Sequence, residues 1–429
     1  MQAVSLFLHH HLHLLILYFI SFTLVPAVII KVKSRNYRIF NGRVKPVTVI
    51  VPVHTEDYEI FERSMKSIRA ENPDQIIVSI DSGDQKLIGI AKKYDAEVLS
   101  HQKRIGKREA LVRAWEKAKH DIIVNVDSDV ILQNGCIREL SKPFDDNSIV
   151  GVATNQSSER TNSIFSFVFS ALISRNVNIV NKALNGGLVV VDGKCCAWRK
   201  SFLLKVKDSF LNEYWMGKRN EIGDDRFLSR EALKLGFKTV YQDTAKILAP
   251  SPKTFEEFLL QQLRWRRSGV KYWLMDLKEG VAPSKTYVLH STTYHAAPLA
   301  FIVAVILDML FFHLPFNLGN VWISLGVIVV GVSLVTLTWQ LIYHGKPIVR
   351  PWHLAIQGLI GLFVVLPISL YGTLTIKNQY AWLSRNYAAI DGKNESITLA
   401  ALPLIFVPIM LFGFPIALIA LVNEAVMYS

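Results

Sequence analysis

The sequence predicts a doubly wound α/β domain held between apolar, membrane-directed ends. Three observations carry this reading. Short β-rich apolar runs alternate with helical patterns between residues 47 and 246; residues 1–30 contain no Lys, Arg, Asp or Glu; and long uncharged stretches return after residue 285. At 429 residues, 51% hydrophobic and 19% charged, the chain is too apolar for an ordinary soluble enzyme of its size, and disorder or a coiled coil is excluded.

The apolar stretch 12–30 approaches the roughly 20 residues that a membrane-spanning helix needs. A secretory signal would carry its positive region first. Here Lys31, Lys33, Arg35, Arg38, Arg43 and Lys45 follow the apolar run, with no acid before Glu56. The positive-inside rule therefore places the N-terminus outside and residue 31 onward in the cytosol. Within residues 31–285, the runs 47–53 (VTVIVPV), 75–80 (QIIVSI), 121–126 (DIIVNV) and 188–191 (LVVV) are expected as buried parallel strands, separated by helices such as 107–119. A domain of this kind takes its ligands at the carboxyl ends of the strands.

Residues 286–429 make a third region. Segment 292–312 carries a single charge, Asp308, and 321–343 carries none, so the short link 313–320 suggests a hairpin of two spans. Segment 351–376 is uncharged but broken by Gly358, Gly361, Pro367 and Gly372, and is expected to enter and return on the cytosolic side. With a last span at 398–423, the chain has four spans, the others at about 12–30, 292–312 and 321–343, and both termini outside. The net charge of +13 suits nucleic acid, an anionic membrane face or a negatively charged substrate, without choosing among them. Cys136, Cys195 and Cys196 give neither a disulfide framework nor a metal-ligand spacing, which fits a reduced, cytosolic setting.

Chemistry concentrates at strand ends. The run DIIVNV leads directly into Asp127-Ser128-Asp129, two carboxylates one residue apart. A divalent cation on a diphosphate needs such hard oxygen ligands; a solvated turn is the alternative. Asp81 ends the preceding strand in the same way, where it suits a base or ribose, although Asp-Ser-Gly is also a common turn. Lys107 and Arg108 open a helix after Gly106, where amides and cations meet phosphate or simply meet solvent. Asp224 and Asp225 stand before another helical run, either as N-caps or as a general base for an acceptor hydroxyl. Gln261, Arg264 and Trp265 lie on a helix from residue 254 onward, with Arg266 and Arg267 following. Arginine beside an indole combines diphosphate recognition with a flat face for a sugar ring; a basic amphipathic helix on the membrane gives much of the same pattern, and both readings apply together.

Taken in order, VIVPVHTED (49–57), Gly106-Lys107-Arg108, Asp127-Ser128-Asp129, Gly223-Asp224-Asp225-Arg226, KTVYQDTAKI (238–247) and Gln261-x-x-Arg264-Trp265 with Ser268 resemble the family-2 processive membrane glycosyltransferases, most closely the hyaluronan synthases and their chitin-oligosaccharide-synthase relatives. The stretch ending in Trp382-Leu383-Ser384-Arg385 resembles the family's Trp-x-Thr-Arg segment, with Ser for Thr; an interfacial anchor is its alternative.

The resemblance implies a GT-A-like glycosyltransferase fold with an α-helical transmembrane bundle and interfacial helices. It further implies Asp81 on uridine, Asp127 on the nucleotide, Asp129 on Mg²⁺ or Mn²⁺, and Asp225 as base. Arg264 and Trp265 would hold diphosphate and acceptor sugar, with Asp224, Gln261 and Gly193 on the substrate, and Trp382 beside the diphosphate. Lys107, Arg108 and Arg385 would neutralise phosphate charge as UDP departs. The implied partners are a UDP-sugar, a growing polysaccharide or sugar acceptor and the lipid bilayer, and no nucleic acid.

Three departures stand out. Asp81 is followed by Ser82 where the family usually has a second acid. The Cys-x-x-Gly-Pro element of hyaluronan synthases is here Val190-Val191-Asp192-Gly193-Lys194, in which only Gly193 matches. One N-terminal span is evident where many members have two. The sequence thus points to a cytosol-facing, inverting polysaccharide synthase that exports its product through its own membrane segments. Sugar transfer to a polyprenyl-phosphate carrier is the enzymatic alternative, and it has no need of Arg264-Trp265. A non-catalytic membrane transporter leaves the paired acids unexplained.

Overall fold

The computed structural model describes residues 17–159, 164–188, 190–220, 222–312, 330, 333–347, 353–354 and 360–378. Its centre is an eight-stranded mixed sheet. In chain order the strands are β1 (Val47–Val53), β2 (Gln75–Ile80), β3 (Glu97–Ser100), β4 (Ile122–Val126), β5 (Ile131–Leu132), β6 (Ile149–Ser158), β7 (Cys195–Arg199) and, after a small hairpin of β8 (Tyr214–Trp215) and β9 (Lys218–Arg219), β10 (Lys238–Ala249). The spatial order is β3-β2-β1-β4-β7-β6-β10-β5.

Strands β3, β2, β1 and β4 are mutually parallel, which is the doubly wound half the sequence predicts. The chain winds outward from β1 to β3 and then returns to place β4 on the other side of β1. That reversal opens a crevice between the carboxyl ends of β1 and β4. Pairing of β1 with β4 stops at Ile50, two residues before Pro52, whose missing amide therefore interrupts no bond on that side.

The side chains of β1 alternate between two cores. Val49, Val51 and Val53 join Phe61, Met65, Ile68 and Leu140, which lie on α2 (Tyr58–Ala70) and α5 (Cys136–Ser141). Ile50 points to the opposite face, with Trp115 of α4 (Lys107–Lys117), Trp198, and Phe202 and Phe210 of α7 (Lys200–Leu211). The remaining helix on the first face is α3 (Gln85–Lys93). Burial on both faces is why β1, β2 and β4 read as continuous apolar runs, each such side chain contributing about 1.5–3 kcal/mol.

One predicted strand is absent. Leu188, Val190 and Val191 are not in the sheet: the Leu188 amide donates to Thr239 Oγ1 and the Val191 amide to Ser229 Oγ, so these donors go to side chains rather than to a ladder. The place beside β4 belongs to antiparallel β7, with Asn125 opposite Cys196. At Gly151 a Cβ would stand 2.6 Å from the Trp198 ring, so glycine admits the indole between β6 and β7.

At the N-terminus a π-turn (Ile20–Leu24) runs into α1 (Val25–Ser34), and the helical stretch Leu17–Ser34 is long and apolar enough to cross a membrane, by length and composition. Ala27 and Ile30 pack with Tyr343, Ile179 and Ala183, the last two on α6 (Ile164–Ala183), and Lys31 donates to the Tyr343 carbonyl. Helices α8 (Asp224–Lys234), α9 (Phe255–Glu279) and α10 (Lys285–Phe312) follow. α10 contains the whole segment expected to span at 292–312. Helix α11 (Leu366–Leu374) continues a π-turn (Gly361–Val365) and packs on α9 through Leu263 and Ile368. The expected span at 398–423, Trp382 and Arg385 lie outside the described residues.

Candidate active site

The crevice between β1 and β4 widens into a cavity of about 830 Å³, closed over by α8, α9 and α10. Of the residues expected to act, Asp81, Lys107, Asp127, Asp129, Gly193, Asp224, Asp225, Gln261, Arg264 and Trp265 all line it. Arg108 does not.

Asp81 leaves the end of β2 and its carboxylate accepts the amide hydrogens of Ile105 and Gly106, the latter at 2.9 Å. It therefore pins the loop that delivers α4 while still facing the cavity. Gly106 has φ +86°, a conformation suited to glycine, and Lys107 begins the helix immediately after it.

Lys107 joins two parts of the site. Its Nζ lies 2.8 Å from Asp127 Oδ1 and 3.2 Å from Asp224 Oδ2. Burial and the neighbouring Asp129 push the Asp127 carboxyl up to about 6 although Lys107 pulls it back, and burial of Asp224 is outweighed by Lys107 and Arg108, which hold its carboxyl below the usual range. The amide of Asp127 donates to the Lys194 carbonyl at 2.8 Å, coupling the Asp-Ser-Asp turn to the segment around Gly193. Ser128 donates to Glu56 at 3.0 Å.

Gly223, not an aspartate, caps α8. Its φ is +74°, and a Cβ there would meet Ser268 Oγ at 2.3 Å and the Tyr272 ring at 2.9 Å. Glycine thus lets α9 press against the start of α8, and the acids sit in the first helical turn rather than at the cap. Asp225 is half-buried beside Asp224 and Asp192; desolvation first, then those two charges, raise its carboxyl to about 6, offset in part by Arg226. Gly193 lies against it, its Cβ position 3.5 Å from Asp225 Cβ.

Helix α9 is capped by Thr254, whose hydroxyl accepts the Glu257 amide, while the Glu257 carboxylate accepts the amide of Lys253 just before the cap. Gln261, Arg264 and Trp265 are three and four residues apart and so share the cavity face. Arg266 turns the other way: its guanidinium donates to the carbonyls of Ser369 and His295 and to Thr373 Oγ1. Arg267 borders the cavity and donates to Thr375 Oγ1. These two arginines fasten α9 to α11 and α10.

The expectation for Arg108 is corrected. Its side chain is 6% exposed and donates to the Phe210 carbonyl and to Glu213 at 2.8 Å. Glu213 also accepts from Lys271 at 2.7 Å, Tyr272 at 2.8 Å and Asn220 at 2.6 Å. The cause is its partners: the guanidinium is taken up beneath α4 by the Phe210 carbonyl and Glu213, on the side away from the cavity, while Lys107 turns to Asp127 and Asp224. Arg108 instead anchors the underside of the site.

Sequence reasoning passed over Asp192 and Lys194. Both line the cavity, Lys194 donating to Gln156 Oε1 at 2.7 Å and to Asp192 Oδ2 at 3.3 Å, with its ammonium 5.7 Å from the centre of the Trp265 ring. The available signal was an acid and a base flanking a glycine just before a buried strand.

Among the described residues no group of three or more His, Cys, Asp or Glu converges on a metal site. A cation held by one or two carboxylates and by substrate phosphates needs no such cage, and Asp127 and Asp129 offer hard oxygens at the strand end, so the donor set fits Mg²⁺ or Mn²⁺ on a diphosphate.

The profile of the family described as glycosyltransferase-like family 2 matches residues 45–268. The chain is 25% identical over 386 residues to a hyaluronan synthase of Streptococcus pyogenes serotype M1, covering 86% of this chain and 90% of that protein. It is 26% identical over 359 residues to an N-acetylglucosaminyltransferase of Neorhizobium galegae, covering 81% of each. A solved mannosyltransferase from Pyrobaculum calidifontis, in complex with GDP-mannose and Mn²⁺, shares the fold with a TM-score of 0.52 at 15% identity, over 84% of this chain and 98% of that one.

Proposed function

The chain belongs to glycosyltransferase family 2, and from that premise we propose that it is a membrane-bound, inverting polysaccharide synthase that uses UDP-sugars on the cytosolic side. One observation carries the reading. A single cavity holds the strand-end acids Asp127 and Asp129, the half-buried carboxyl of Asp225, and Trp265 on the opposing helix.

In this reading Asp225 accepts the proton of an acceptor hydroxyl. The oxygen attacks the donor's anomeric carbon, the bond from that carbon to the diphosphate breaks, and UDP leaves with inversion. A carboxyl near 6 suits that task, being ionised at neutral pH yet more basic than an exposed aspartate. Asp127 and Asp129 would hold a divalent cation, which when bound supplies positive charge to the diphosphate. Lys107 keeps Asp127 and Asp224 ionised and in place. Asp81 faces the nucleotide end, while Gln261, Arg264 and Trp265 form the wall against which diphosphate and acceptor lie.

Export across the bilayer rests on the apolar ends of the chain: among the described residues the Leu17–Ser34 helix is long and apolar enough to cross a membrane, α10 carries the second expected span, and the resemblance assigns Trp382 and Arg385 to the diphosphate. The direction of Arg264 and Trp265 into the cavity favours a sugar acceptor over a lipid phosphate. Purified full-length protein incubated with individual UDP-sugars and Mn²⁺ should release UDP and form oligosaccharide from one or two of them. No UDP release from any sugar nucleotide would contradict the proposal.

A further inference from the structure

The cavity wall beneath Trp265 carries a feature that the transfer reaction itself does not use. Lys194 and Asp192 flank Gly193, and each is about a quarter exposed, facing the cavity. Both are held firmly. Asp192 accepts the Lys194 amide at 2.9 Å, and the Lys194 carbonyl accepts the Asp127 amide. Burial tends to raise the Asp192 carboxyl, but the Lys194 ammonium and amide outweigh it and keep it below the ordinary range. The pair is therefore charged, mutually neutral and preorganised.

An ammonium has three donors, of which Gln156 and Asp192 take two among the described residues; a carboxylate has about four acceptor sites. One donor and spare acceptor sites thus sit side by side next to the Trp265 indole, the ammonium 5.7 Å from the ring centre and on the side of its face. That is the complement of a sugar ring stacked on the indole, with adjacent hydroxyls of which one accepts and one donates. It is a poor complement to a sugar carboxylate. Lys194 is already neutralised by Asp192, and Asp225 and Asp224 stand behind Gly193, with Asp224 in turn paired to Lys107. Of the arginines on the cavity's α9 side, Arg264 serves the diphosphate in the reading above and Arg267 donates to Thr375 Oγ1.

Resting on the proposed transfer reaction, we infer that Asp192 and Lys194 are specificity-determining residues that bind a neutral acceptor terminus, gripping two neighbouring hydroxyls of the sugar stacked on Trp265 and discriminating against a terminal uronate. The product's growing end is then a neutral hexose or N-acetylhexosamine each time it occupies this site.

The experiment uses full-length protein in detergent with Mn²⁺, UDP-glucose or UDP-N-acetylglucosamine as donor, and soluble acceptors: cellobiose, chitobiose, and a disaccharide ending in glucuronate. UDP release should rise with a neutral acceptor and not with the glucuronate-ended one. Lys194→Met should raise the acceptor KM at least ~10-fold more than the donor KM, the weight of a hydrogen bond to a charged group, and Lys194→Arg should recover part of the loss. Preference for the glucuronate-ended acceptor, or equal effects of Lys194→Met on both KM values, overturns this inference while leaving sugar transfer intact. Absence of UDP release with either donor under every condition overturns the inference together with the reaction on which it rests.

Discussion

Lys107 holds Asp127 at 2.8 Å and, from the same ammonium, reaches Asp224, so the first residue of α4 ties the end of β4 to the start of α8. Three segments far apart in sequence meet at one charge. Lys107→Met should leave two partly buried carboxylates without their cation and destabilise the domain by about 1–3 kcal/mol, the cost of removing one partner from a hydrogen-bonded group. Thermal denaturation of the wild type, Lys107→Met and Lys107→Met/Asp224→Asn checks this: the double variant should regain part of the loss, and an unchanged melting temperature in the single variant would refute it.

Arg108 should behave differently from its neighbour. Its guanidinium supports Glu213 and the Phe210 carbonyl below the cavity, so Arg108→Met should lower the melting temperature by the same class of effect. In the protein that remains folded, the donor KM should stay within about threefold of wild type, because the side chain does not border the cavity. A selective loss of donor affinity at unchanged stability would restore a phosphate role for it.

The rate should fall in acid. Asp225 acts only when ionised, and its carboxyl is raised to about 6 by burial, Asp224 and Asp192. Below that pH the base is progressively protonated, and kcat/KM should drop; above it the rate should level off. Asp127 contributes little to this limb in the cation-loaded enzyme, because a bound divalent cation favours its ionised form. Asp192→Asn removes a negative neighbour and should move the limb to lower pH. A limb that moves upward would contradict this electrostatic account.

How far these features were legible in the sequence follows from what each residue contacts. β1, β2 and β4 announced themselves because burial on both faces leaves no polar alternation, and the acids just after β2 and β4 followed from the rule that such folds bind at strand ends. The run 188–191 carries the same apolar signature, yet Leu188, Val190 and Val191 are not in a strand, since apolar composition reports burial and not where the amides donate; those of Leu188 and Val191 go to Thr239 and Ser229. Arg108 was misplaced because it was read with Lys107 as one motif, although its guanidinium is claimed by Glu213 and the Phe210 carbonyl, partners that only the tertiary fold supplies. Glu213 and Lys271 gave no signal, because their partners are brought together only by tertiary packing of α4, α7 and α9. Gly223 was read within an acidic motif, but its indispensability depends on Ser268 and Tyr272, more than forty residues away.

The central claim is that Asp225 removes the proton from the acceptor, and its most direct test compares Asp225→Asn with wild type in the same preparation, measuring UDP-sugar binding by calorimetry and UDP release in the presence of acceptor. The amide nearly preserves shape and removes only basicity. Donor affinity should remain within about threefold while transfer falls by roughly 10²–10⁴, the usual contribution of a general base. Near-normal transfer in Asp225→Asn would contradict the account and return this carboxylate to a role in holding the first turn of α8.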